Sequence, residues 1–117
     1  MNSLLKERRR YPRIEKELPL KIRTDEYDLV TQTKNLSCIG AYCAVDKYIP
    51  PLTKLSIILL LPLKTKNKNT NVKIQCKGVV VRTEGKPPEG FNIAIFFNEI
   101  SPRHKDKIAR YVSEHIS

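Results

Sequence analysis

Leu55-Ser56-Ile57-Ile58-Leu59-Leu60-Leu61-Pro62 is the stretch on which the fold turns. Its unbroken apolar run, Ile57 to Leu61, is far short of the roughly 20 residues that a membrane-spanning helix needs. Leucine and isoleucine recur at 55, 57, 59 and 61, the two-residue period of a strand, and Pro62, which cannot donate to a sheet ladder, is expected to end it. On the C-terminal side, residues 63–71 are polar after Leu63 and read as a long exposed hairpin. Val72, Ile74, Cys76 and Gly78 then alternate with Lys73, Gln75 and Lys77 and run on to Arg82, a long strand with a bulge or a close backbone approach at Gly78. After a Gly85 to Gly90 turn containing two prolines, Ile93, Ile95 and Phe97 alternate with Ala94 and Phe96. On the N-terminal side, Leu18, Leu20 and Ile22 alternate with Pro19, Lys21 and Arg23, and a turn follows at Asp25 to Tyr27. Strands are also expected over about Asp28 to Lys34 and Gly40 to Val45, the latter with Ala41, Cys43 and Val45 on one face.

Ser101-Pro102 has the form of an N-cap and first helical residue, and Ile108, Tyr111, Val112 and His115 follow at helical spacing. Six strands and one helix predict an all-β chain, a six-stranded antiparallel β-barrel or tightly rolled sheet with a C-terminal α-helix, since either cures exposed sheet edges. The 117 residues, 40% of them apolar, suffice for one domain with one core. Residues 1–13 are basic and poor in core material, so they read as a flexible arm; the barrel takes residues 14–117, with its helix from about 102.

Twenty-two Lys and Arg against 12 Asp and Glu leave a net charge of +10, which points to a polyanionic ligand, a nucleic acid or an acidic surface. No apolar signal segment precedes the basic residues, and three cysteines are too few and odd for a disulfide framework, so a cytoplasmic setting is expected. Cys38 and Cys43 with a remote Cys76 make no paired-thiol metal motif. His104 and His115 both fall on the terminal helix, His104 solvated and His115 at its packing rim, so a Cys or Ser nucleophile lacks a base. The carboxylates are scattered. No metal, cofactor or catalytic centre is expected, and an enzyme is not the reading these residues favour.

Two stretches stand above this background. In Glu7-Arg8-Arg9-Arg10-Tyr11-Pro12-Arg13, Pro12 disfavours helical angles at Tyr11, so the arm is read as extended. Arg9 and Arg13 then point the same way, about 13 Å apart, and could bracket a flat, doubly charged ligand. Their planar guanidinium forks suit phosphate oxygens or the O6 and N7 edge of guanine. A solvated basic tail would show the same residues. The second stretch, Asn35-Leu36-Ser37-Cys38-Ile39-Gly40, joins two strands; Asn35 offers an acceptor to guanine, and Ser37 and the Gly40 backbone could approach phosphate or ribose. A plain turn would also use these residue types.

Together, in this order, the two stretches resemble the PilZ domain family, whose signature is RxxxR in an N-terminal arm followed by [D/N]xSxxG. Arg9 and Arg13 match the first half; Asn35, Ser37 and Gly40 match the second. The resemblance implies a six-stranded barrel that receives the second messenger cyclic di-GMP, often as an intercalated pair, and relays it by a conformational change to a downstream effector protein. Arg9 and Arg13 would contact phosphates and guanine edges, Arg8 and Arg10 would assist, and Asn35, Ser37 and Gly40 would form the pocket. Asn35 stands where Asp is commoner, which removes a charged acceptor and also its repulsion of the ligand phosphates. Two other readings are carried with it. One is a sequence-tolerant RNA- or DNA-binding barrel, disfavoured because aromatics are only 7% and Trp is absent. The other is a PilZ-like adaptor acting only through protein contacts.

Overall fold

The computed structural model describes residues 11–26 and 28–116. Six antiparallel strands, β1 (Pro19–Arg23), β2 (Asp28–Ser37), β3 (Gly40–Val45), β4 (Lys54–Thr65), β5 (Lys68–Lys86) and β6 (Gly90–Glu99), are followed by helix α1 (Pro102–Glu114). They close into a barrel in the order β1-β2-β3-β6-β5-β4, with β1 pairing back onto β4. The inward set is the one that alternation predicts: Leu20, Ile22, Ala41, Cys43, Leu55, Ile57, Leu59, Leu61, Ile74, Ile93 and Ile95 are all buried.

Pro62 does not end β4. The strand runs on to Thr65, turns through Lys66 and Asn67, and returns as β5 from Lys68, so the expected hairpin loop is itself paired strand. Both turn residues have positive φ (43° and 69°), the requirement of a type I′ hairpin. Pairs alternate outward from Thr65↔Lys68, which flanks the turn and exchanges hydrogen bonds; Pro62↔Asn71 therefore falls on a rung where the strands do not bond each other. β1 pairs with β4 no further than Leu59, so the donor that Pro62 lacks would have met no strand on that side.

Two other elements outrun their expected bounds. β2 continues past Lys34 to Ser37 because only Cys38 and Ile39 separate it from β3, and β5 continues past Arg82 to Lys86. The expected irregularity at Gly78 is present as a register shift between Lys77 and Val79, where a Cβ would lie 2.7 Å from the side chains of both Ile57 and Ile95. A second shift, between Val80 and Arg82, leaves Val81 and Arg82 consecutively exposed.

Ser101 caps α1, its hydroxyl accepting from the His104 N–H at 3.1 Å, and the stripe Ile108, Tyr111, Val112 is buried as the helix packs on β2 and β4. His104 is not merely solvated. It is half-buried, and its Nδ1 lies 3.3 Å from the Gln75 N–H and 3.1 Å from the Gln75 carbonyl, occupying an edge of β5. His115 ends the helix with its ring 4.1 Å from that of Tyr111.

The segment before β1 is stitched to the barrel. Ile14 exchanges two 3.0 Å backbone hydrogen bonds with Leu36, and the buried Thr33 hydroxyl accepts from the Leu18 N–H at 3.0 Å and donates to the Lys16 carbonyl. Thr33→Val keeps the volume but orphans the buried Leu18 N–H and the part-buried Lys16 carbonyl. It is expected to cost about 2 kcal/mol, read as a lower urea midpoint at unchanged slope; an unshifted midpoint would refute the assignment.

Candidate functional site

The Ile14–Leu36 bridge sets Arg13 beside β2, one residue out of register with a shift between Thr33 and Asn35. The exposed Arg13 Nη1 donates to Asn35 Oδ1 at 2.8 Å, so two of the residues singled out in the sequence meet across 22 positions of chain. Just before them, Tyr11 packs against the core and lies under the Lys105 ammonium, 5.4 Å from the ring centre. Tyr11 to Arg13 are thus anchored on the barrel; Arg8, Arg9 and Arg10, and the rest of the arm before Tyr11, lie outside the described residues.

Arg13 and Asn35 form one wall of a surface cleft of about 540 Å³. Register explains its shape. Tyr42 on β3, Ala94 on β6 and Arg82 on β5 lie on one rung, so a methyl group separates two long side chains. Phe96, 45% exposed, and Val81, 53% exposed, add an apolar floor that neither the core nor a neighbouring element covers. The β5 shift between Val80 and Arg82 is what turns both Val81 and Arg82 outward.

Glu84 fixes the far wall. Its carboxylate accepts from the Tyr42 hydroxyl at 2.5 Å and stands 3.2 Å from Arg82 Nε. The hydrogen bond to Glu84, with some desolvation, holds the Tyr42 hydroxyl above the ordinary phenol range, so it stays a donor. The cleft therefore presents two guanidinium groups, a side-chain amide, and the exposed apolar surface of Phe96 and Val81.

Ser37 and Gly40, the other two residues of the second stretch, do not line this cleft. Ser37 is buried, its hydroxyl accepting from the Ile39 N–H at 3.2 Å, which holds the two-residue turn. At Gly40 a Cβ would lie 2.2 Å from the Ile95 carbonyl oxygen, so glycine is there to let β3 approach β6. Their place in the fold is beneath the site. Sequence reasoning missed Tyr42, Arg82, Glu84 and Phe96; the one signal available was the broken alternation Val79-Val80-Val81-Arg82.

Among the described residues no group of three His, Cys, Asp or Glu side chains could hold a metal ion. Burial pushes the Cys43 and Cys76 thiols up to about 12, far from nucleophilic thiolates. No helix among the described residues is long and apolar enough to cross a membrane.

The comparisons with known proteins agree with this architecture. No curated protein sequence matches the chain. Among solved structures, it is similar to the Bacillus subtilis inhibitor of motility (MotI/DgrA), with a TM-score of 0.77 and 20% identity over 89% of this chain. The chain spans only 49% of that protein. It is also similar to the PilZ domain with c-di-GMP of YcgR from Escherichia coli, with a TM-score of 0.68, 13% identity, and coverage of 92% of this chain and 90% of the other. The PilZ domain of CeSA from a cellulose synthesizing bacterium gives 0.60 and 14%, covering 88% and 96%. At these identities the likeness speaks for the fold. The family model for the PilZ domain matches residues 7–114, nearly the whole sequence, and the chain belongs to the PilZ domain family.

Proposed function

We propose that the cleft between Arg13 and Arg82 is a receptor site for cyclic di-GMP. The observation that carries this reading is the pair of guanidinium groups lining one cleft with an exposed phenylalanine. A cyclic dinucleotide needs both features, since its two phosphates take planar forks and its guanines take a flat apolar face. In this reading Arg13 binds a phosphate or guanine edge, with Arg9 and its neighbours Arg8 and Arg10 closing from the arm. Asn35 accepts from guanine, Arg82 faces the second anionic edge, and Ser37 and Gly40 hold the turn that presents Asn35. The occupied face, with the arm drawn over it, is then read by a downstream protein.

Titration calorimetry with cyclic di-GMP tests the proposal. Micromolar or tighter binding is expected, with about tenfold loss in Arg82→Ala, the share of one charge-assisted contact. Affinity should fall only gently with salt, because a ligand with two phosphates releases few counterions. Absence of heat in the parent protein would sink the reading, and a steep salt slope with single-stranded nucleic acid bound in its place would replace it.

A further inference from the structure

The opposite wall of the barrel carries a second feature, independent of the dinucleotide reading. In the ring order, the β1–β4 seam lies across from the β3–β6 seam that floors the cleft. On its outer face, Lys21, Ile58 and Gln75 share one rung, and Arg23, Ser56 and Lys77 share the next. Lys73 stands opposite Leu60 on β4. Half-buried Ile58 and exposed Lys21, Arg23 and Lys77 line a groove of about 380 Å³, and half-buried Leu60 with exposed Lys73 continues the same outer face beyond it, so an aliphatic row runs between cations.

Among the described cations of this wall, Arg23 alone is held in an ion pair, and the field of Lys21 also reaches Arg23's partner Asp28. β1, β4 and β5 up to Val79 contain no acidic residue, and among the described residues Lys21, Lys73 and Lys77 enter no ion pair. The acids nearby stand at one end, where Asp28 holds Arg23 at 2.9 Å and Glu99 is in register with Lys77. From the other end the β4–β5 hairpin runs past the barrel, bearing exposed Lys64, Lys66 and Lys68.

We infer that this groove docks an acidic segment of a partner protein, with aliphatic side chains set on Ile58 and Leu60 and carboxylates facing Lys21, Lys73 and Lys77. Charge complementarity selects an anion, and the floor selects among anions. The three strands carry no aromatic residue, so they offer no stacking surface to nucleobases. The hairpin tip, Lys66 and Asn67, has no apolar group to enter a bilayer, and a groove fits an extended chain better than a flat headgroup layer.

The probe is a fluorescent peptide of four Glu-Glu-Leu repeats, followed by anisotropy beside a Gln-Gln-Leu control of equal length. The parent protein is expected to bind the acidic peptide at least about tenfold more tightly than the control, and to lose that preference as salt is raised. Lys21→Glu with Lys77→Glu should weaken binding by about tenfold or more without moving the thermal transition. If that charge-reversed pair fails to fold, Lys21→Ala with Lys77→Ala and the salt titration carry the test. Equal affinity for the two peptides, or undiminished binding by a folded double variant, overturns the inference. So does tighter binding of phosphatidylserine vesicles or of a thymidine dodecamer than of the acidic peptide.

Discussion

Arg13→Ala is expected to weaken cyclic di-GMP binding about a hundredfold while leaving the thermal unfolding of the protein unchanged. The side chain is exposed and its one described hydrogen bond, to Asn35, is exposed too, so truncation should alter stability by no more than about 0.5 kcal/mol. In the complex the same guanidinium would make two charge-assisted bonds in a bidentate pair, each worth about 1.5 to 3 kcal/mol, and about 1.4 kcal/mol is a factor of ten in affinity. Arg13→Lys retains the charge without the planar fork and should recover only part of the loss. Calorimetry and a melting curve on the same preparations decide the matter: binding within threefold of the parent would remove Arg13 from the site.

Gly40→Ala should do the reverse and strike the fold. The added methyl would sit 2.2 Å from the Ile95 carbonyl oxygen and 3.3 Å from its carbon, and backbone atoms in a closed sheet have no side-chain freedom with which to retreat. β3 and β6 would have to part beside Phe96, at a cost of about 3 kcal/mol and a melting temperature lower by roughly 10 °C. An unaltered melting curve would show that Gly40 serves ligand approach instead. The pair of variants separates two halves of one family signature, one proposed to meet ligand and one that shapes the sheet.

How much of this was legible in the sequence follows from the range of each interaction. Alternation is local, so Leu55 to Leu61 and Ile93 to Phe97 announced strands that the barrel contains, and Ser101-Pro102 announced a helix cap. Pro62 misled because its cost depends on whether a strand lies on its donor side, and that is decided by β1, some forty residues away. Arg13 and Asn35 were each legible through the family signature, Arg13 with Arg9 and Asn35 with Ser37 and Gly40, but their mutual hydrogen bond was not. Tyr42, Arg82 and Phe96 were not, because they converge only through strand register and a shift in β5 that no periodicity encodes. His104 was underrated for a related reason, its partner being the backbone of Gln75 and so silent in side-chain patterns.

The neutrality of Asn35 has a kinetic consequence. An aspartate there would tether Arg13 as an ion pair and cancel much of its field, whereas the amide oxygen orients the guanidinium and leaves its full positive charge facing outward. A dianionic ligand of the proposed kind would then feel attraction before contact, which speeds encounter, and on arrival would displace one hydrogen bond to a neutral acceptor rather than break an ion pair.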